Sequence, residues 1–222
     1  MIKKISRLIS TTFKPAVFWL VIAALVPVYN HTVFAADKTT ETILVLGDSL
    51  SGAYVIDIDE GWVALLQQQI VVQGYDYRVI NASVSGDTSR TGLSRIDDAM
   101  KSHKPQIVII ALGGNDGLRG LAFSETESSL GSVIERCKKD HAEILLVGVR
   151  MPPNYGAIYN QKFADLYRGL AQRYNIPLVP KMLDQVADNP ELMQADGIHP
   201  KAEAQTLVME NVWSGLRGIL EK

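Results

Sequence analysis

From residue 42 onward, short apolar runs alternate with stretches whose apolar residues recur three and four positions apart. The strand-like runs cover residues 43–46, 77–81, 106–112, 144–149 and 177–179. Between them, residues 61–73 place Trp62, Leu65, Leu66 and Gln69 at helical spacing, and residues 90–101 do the same with Leu93, Ile96 and Met100. Residues 124–139 and 157–174 also read as helices, the former with Ser124 as N-cap and Glu127 as its capping-box partner. Residues 201–220 close the chain as a helix with Leu207, Val208, Val212, Leu216 and Ile219 on its apolar side. The run Ile107-Val108-Ile109-Ile110-Ala111 is apolar on both faces, which suits a parallel sheet covered on both sides. The alternation predicts one α/β domain with parallel strands and right-handed crossovers. No internal repeat or interdomain linker interrupts it.

The first residues follow another pattern. Lys3, Lys4, Arg7 and Lys14 precede an apolar run from Ala16 to Val26, and Val33-Phe34-Ala35-Ala36 follows. A basic start, a short apolar core and small residues make a secretory signal peptide, predicted as residues 1–35 with cleavage after Ala35. The apolar run is about half the roughly 20 residues of a spanning helix, and Pro27 interrupts it; an uncleaved membrane anchor is the alternative. Residues 36–222 then form the single mature domain, periplasmic or secreted and expected as a monomer. The leader removes four of the 22 basic residues and none of the 24 acidic ones, leaving the mature part at −6. Such an acidic domain is a poor match for nucleic acid or an anionic membrane surface. One cysteine, Cys137, excludes an internal disulfide and a four-cysteine zinc site. Its place in a helical run suggests a buried structural thiol.

Three polar turns follow the first three strands: Gly47-Asp48-Ser49, Ser85-Gly86-Asp87 and Gly114-Asn115-Asp116. Parallel strands bring all three to one edge, where open sheets bind ligands. Ser49 is a candidate nucleophile there, although Asp48 or Ser49 would also serve to cap a helix or satisfy the turn. A serine nucleophile needs a base. Of four histidines, His31 lies in the leader, and His103 and His141 sit at helix ends on the opposite edge. His199 remains, in a loop after the last strand, with Asp196 three residues before it. Acyl transfer also needs donors for the developing oxyanion. The N–H groups of Ser49 and Gly86 and the amide of Asn115 can provide them; the competing readings are a positive-φ glycine and a turn or cap asparagine.

Gly47-Asp48-Ser49-Leu50, Gly86, Gly114-Asn115-Asp116 and Asp196-Gly197-Ile198-His199-Pro200 resemble, in order, the four blocks of the SGNH (GDSL) hydrolases. Residues 81–88, 112–120 and Asn154-Tyr155-Gly156 are similar to its bacterial periplasmic multifunctional acyl-CoA thioesterase I/protease I/lysophospholipase group. The resemblance implies a flavodoxin-like three-layer αβα fold with a five-stranded, mostly parallel sheet. It also implies a triad of Ser49, Asp196 and His199, with Gly86 and Asn115 completing an oxyanion hole with the Ser49 N–H. It points to hydrolysis of acyl esters and thioesters, among them lysophospholipids, acyl-CoA and aryl esters. No step of that chemistry calls for a metal or an organic cofactor.

The substrate would be a small acyl ester or thioester in a shallow cleft, with no stable membrane anchor once the leader is removed. Asp48, Leu118, Met151 and Pro152 lie on loops of the active-site edge and are candidate substrate-binding residues. Two other readings compete: a carbohydrate O-deacetylase of the same family, and a noncatalytic lipid- or glycan-binding domain that keeps the fold.

Overall fold

The computed structural model describes residues 40–221. The predicted signal peptide and its cleavage point lie outside the described residues. Five strands form the sheet: β1 (Glu41–Gly47), β2 (Tyr77–Asn81), β3 (Ile107–Ala111), β4 (Glu143–Val147) and β5 (Leu178–Val179). Their spatial order is β2-β1-β3-β4-β5, and every pairing is parallel. The chain first winds outward from β1 to β2, then returns past β1 to β3. A crevice opens where the direction reverses, beyond the carboxyl ends of β1 and β3.

Among the described residues the α-helices are α1 (Trp62–Val72), α2 (Ser89–His103), α3 (Gly114–Leu118), α4 (Phe123–Lys139), α5 (Ala157–Tyr174) and α6 (Gln205–Leu216). Alternation along the strands sends Ile43, Val45, Ile107 and Ile109 to one face, where they meet Trp62, Leu66 and Ile70 of α1 and Val208 and Val212 of α6. Leu44, Leu46, Val108 and Ile110 point to the other face and pack on α2, α4 and α5. These side chains are fully buried, and the result is a three-layer αβα sandwich. Cys137 belongs to the second core, and burial pushes its thiol up to about 12.

Local differences from the sequence-based expectation have physical causes. The helix predicted to start at Ser124 begins at Phe123 with Ala122 at the N-cap, and no side chain caps it. Ser124 and Glu127 therefore form no capping box. Instead the Thr126 hydroxyl donates to Asp116 at 3.2 Å, and Glu127 is drawn into an ion pair with Arg173 of α5. The closing helix is shorter than residues 201–220: a 3₁₀ turn (Ala202–Ala204) precedes α6, which ends at Leu216. The polar turn predicted at Gly114-Asn115-Asp116 is the first turn of a short helix, α3. Gly114 and Gly117 are poor helix formers, but Tyr155 and Tyr159 donate their hydroxyls to the Leu118 and Gly117 carbonyls, each at 2.8 Å. Tertiary bonds thus supply what propensity lacks.

Candidate active site

The turn after β1 is fixed from several sides. The Asp48 carbonyl accepts the Ser51 and Gly52 N–H groups, and Asp48 Oδ1 accepts Leu50 N–H at 3.0 Å. The Leu50 carbonyl takes the Trp62 indole N–H at 3.1 Å, and the Ser51 carbonyl takes the Asn81 amide at 2.8 Å. Ser49 is left half-buried at the top of the sheet. Its own N–H has no acceptor among the described residues.

The loop carrying Asp196 and His199 is closed by an antiparallel bridge between Met193 and Pro200, with Gln194 N–H donating to the His199 carbonyl at 2.8 Å. Gly197 turns the chain at φ 67°, a conformation that glycine adopts without strain. That turn aims the N–H groups of Ile198 and His199 at Asp196 Oδ1, at 2.9 and 3.0 Å. Asp196 Oδ2 is then free to meet His199 Nδ1 at 2.7 Å, while Nε2 lies 2.8 Å from Ser49 Oγ. Burial pushes the Asp196 carboxyl up, but the bonds from the His199 ring and from the two N–H groups outweigh it and hold it below its ordinary value. An ionised Asp196 keeps the ring proton on Nδ1 and leaves Nε2 as acceptor.

The other two turns reach the same edge. Gly86 has φ 86°, is exposed, and gives its carbonyl to Arg119 Nη2 at 3.0 Å. Its N–H, like that of Ser49, has no acceptor among the described residues. Asn115, in the first turn of α3, donates its amide to the Asp87 carbonyl at 2.9 Å and more weakly to Asp48 Oδ2 at 3.4 Å. Asp48 itself is 3% exposed, and burial pushes its carboxyl up to about 6 against the opposing pull of Leu50 N–H, His199 and Asn115.

A groove of about 220 Å³ runs from Ser49 and His199 past Asn115. Leu118, Val149, Met151, Pro152, Leu183 and Ile198 give it apolar walls. Asp48, Leu118, Met151 and Pro152 all border it, Asp48 and Met151 from its buried floor. Arg150 stands at the same groove and pairs with the exposed Asp188. His103, the last residue of α2, and His141, just after α4, precede β3 and β4 and so occupy the opposite edge.

Three contributors escaped the sequence reading. Arg95 of α2 donates to Asp87 Oδ2 at 2.7 Å, to the Ala82 carbonyl at 2.5 Å and to the Gly47 carbonyl at 3.3 Å. One guanidinium thus joins the ends of β1 and β2 to the Gly86 turn. Tyr54 lies against the His199 ring, and Gln194 bonds the backbone of both their loops. Arg95 to Gly47 and Gln194 to Tyr54 span 48 and 140 residues, and no spacing rule signals them.

Residues 45–207 match the GDSL-like Lipase/Acylhydrolase family. The chain is 46% identical over 180 residues to the esterase TesA of Pseudomonas aeruginosa, covering 81% of this chain and 90% of that one. It is 42% identical over 170 residues to thioesterase 1/protease 1/lysophospholipase L1 of Escherichia coli K12, covering 77% of this chain and 80% of the relative. A crystal structure of TesA superposes with a TM-score of 0.80 at 46% identity, over 81% of this chain and 100% of the other.

Proposed function

This chain belongs to the GDSL-like lipase/acylhydrolase family of serine hydrolases, and on that premise we propose that it hydrolyses acyl esters and thioesters through an acyl-enzyme on Ser49. The observation that carries the reading is the continuous chain from Ser49 Oγ through the His199 imidazole to Asp196, with links of 2.8 and 2.7 Å. His199 Nε2 takes the serine proton as Oγ attacks the substrate carbonyl. Asp196 holds the tautomer and stabilises the imidazolium. Negative charge on the carbonyl oxygen is received by the unpartnered N–H groups of Ser49 and Gly86 and by the Asn115 amide, which turns from its ground-state acceptors. When the tetrahedral intermediate collapses, His199 returns its proton to the departing alcohol, or neutralises the departing thiolate. Water then enters, His199 removes its proton, and a second collapse releases the carboxylic acid and restores the Ser49 hydroxyl.

The apolar walls of the groove favour an acyl chain, with Leu118, Met151 and Pro152 in contact with it and Asp48 beneath it. The relatives' names include esterase, thioesterase and lysophospholipase, which supports small acylated molecules as substrates here. Residues 1–35 are proposed to export the domain of residues 36–222 to the periplasm or beyond the cell. Lysophospholipids and other exogenous esters suit that compartment better than acyl-CoA, a cytoplasmic metabolite. Among the described residues, no helix is long and apolar enough to cross a membrane. The mature domain is proposed to act as a monomer.

The deciding experiment compares residues 36–222 with the Ser49→Ala variant on p-nitrophenyl esters, acyl-CoAs and lysophospholipids. The variant is expected to fold and to lose turnover on all three. Retention of more than a few per cent of esterase activity overturns the assignment. Labelling by a fluorophosphonate should fall on Ser49, and release from medium and long chains distinguishes this activity from acetyl-only deacetylation.

A further inference from the structure

We infer that Tyr54 is a positioning residue for His199: its ring covers one face of the imidazole and stabilises the imidazolium formed during turnover. The inference rests on the hydrolase reading above. Asp196 and Ser49 hold the two ring nitrogens in the plane of the imidazole, but in-plane bonds give no support to its faces. The Tyr54 ring supplies that support, with centroids 4.4 Å apart and planes inclined by 32°.

The backbone around Tyr54 is held in an uncommon shape. Ala53 and Val55, on either side, have φ of 54° and 58°, a region that a β-branched residue enters only under constraint. The Val55 side chain is 76% exposed, so no packing of that side chain compensates. What the turn achieves is the placement of Tyr54. Gln194 secures the arrangement from the other side: its Nε2 donates to the Tyr54 carbonyl at 2.9 Å and to the Pro200 carbonyl at 3.1 Å. Its backbone N–H donates to the His199 carbonyl at 2.8 Å. One residue therefore ties the tyrosine loop to the backbone that carries the imidazole. The gap bordered by Ser49, Ala53, Tyr54, His199 and Gln205 has no room for a water molecule.

The chemical consequence follows from charge. An aromatic face attracts a cation placed within about 6 Å of its centroid. His199 becomes a cation only after it has taken the serine or water proton, so the attraction is absent from the bound ground state. An interaction of that kind acts on kcat and leaves KM alone.

Three variants test this: Tyr54→Phe keeps the aromatic face, Tyr54→Leu keeps an apolar cover without it, and Gln194→Ala releases the tether. Tyr54→Phe should stay within about twofold of the parent kcat, while Tyr54→Leu should lose about 5- to 10-fold with KM unchanged. The His199 ring protons supply a readout independent of turnover. Their upfield NMR shift from the neighbouring ring should persist in Tyr54→Phe and vanish in Tyr54→Leu. Equal kcat in the Phe and Leu variants, or a loss confined to KM, overturns the inference. Should Tyr54→Leu fail to fold, Gln194→Ala decides: lowered kcat at constant KM supports the inference, and unchanged kcat overturns it. An inactive Ser49→Ala beside an unaffected Tyr54→Leu overturns only the role of Tyr54, whereas an active Ser49→Ala overturns the hydrolase reading.

Discussion

Asp48 and Asn115, 67 residues apart, meet beside Ser49, where the carboxylate accepts the amide at 3.4 Å while the Asp87 carbonyl accepts it at 2.9 Å. Asn115 is thus pre-aimed by two acceptors that it can leave for an oxyanion. Truncation in Asn115→Ala is expected to lower kcat by about 10²- to 10³-fold with little change in KM. Steady-state kinetics on a p-nitrophenyl ester checks this.

The buried carboxyl of Asp48 makes stability depend on pH. Burial pushes it from an ordinary value of 3.8 up to about 6, so the native state binds a proton over that interval that the unfolded chain has released. Its contribution is therefore fully present below the unfolded value and is lost as pH rises through about 6, a swing of roughly 3 kcal/mol. Asp48→Asn should remove this component. Urea unfolding at several pH values between 4 and 8 measures it as the difference in slope between the parent and the variant. The same variant should lose activity, because an asparagine amide turned toward Asn115 would set donor against donor.

Arg95 is expected to matter for both fold and rate. Its ion pair with Asp87 at 2.6 Å leaves the aspartate side chain only 11% exposed, and removing one partner of such a pair strands the other. Arg95→Ala should cost about 2–4 kcal/mol in stability. It should also lower kcat, since the turn bearing Gly86 loses its tie to Gly47 and Ala82. Arg95→Lys recovers the charge but not the fork of donors, and is expected to restore only part of either quantity. Denaturant midpoints and initial rates separate the two effects.

Loss of the tyrosine hydroxyls should loosen α3. Tyr155→Phe removes the hydroxyl donor of the Leu118 carbonyl, and Tyr159→Phe removes that of the Gly117 carbonyl, which keeps only backbone donors such as the Gly120 N–H. Each should cost about 1 kcal/mol. Hydrogen exchange of the amides in residues 114–120 should quicken in the double variant, while the amides of β3 keep their protection.

Cys137 is expected to be inert. Its thiol is fully buried in the core between the sheet and α4, and burial pushes it up to about 12. A colorimetric thiol reagent should therefore react within minutes only after denaturation.

Much of this was legible from periodicity. The strand at residues 77–81 and the helix at residues 157–174 agree with β2 and α5 to the residue, because both are bounded by clear breaks in a strong pattern. The meeting of Ser49, Asp196 and His199 was legible because parallel strands share an edge and only one histidine follows the last of them. The start of α4 was misjudged because the favourable local pair of Ser124 and Glu127 competes with distant partners, Asp116 for the Thr126 hydroxyl beside them and Arg173 for Glu127. The hydroxyls that build α3 and the guanidinium of Arg95 act across the fold. Local sequence carries no trace of them.

The bond between Ser49 and His199 spans 150 residues, and the histidine loop is secured by what comes after it. Gln205, at the start of α6, accepts the Trp62 N–H of α1 at 3.0 Å, locking the last helix beside the first. A chain emerging N-terminus first therefore holds Ser49 early but acquires its proposed base, His199, about 150 residues later. Loops of that length close late, so hydrolysis should begin only when the whole domain has assembled. Turnover in this enzyme is then a timer for completed folding, and a chain cut short before α6 should be silent even with Ser49, Asp196 and His199 all present.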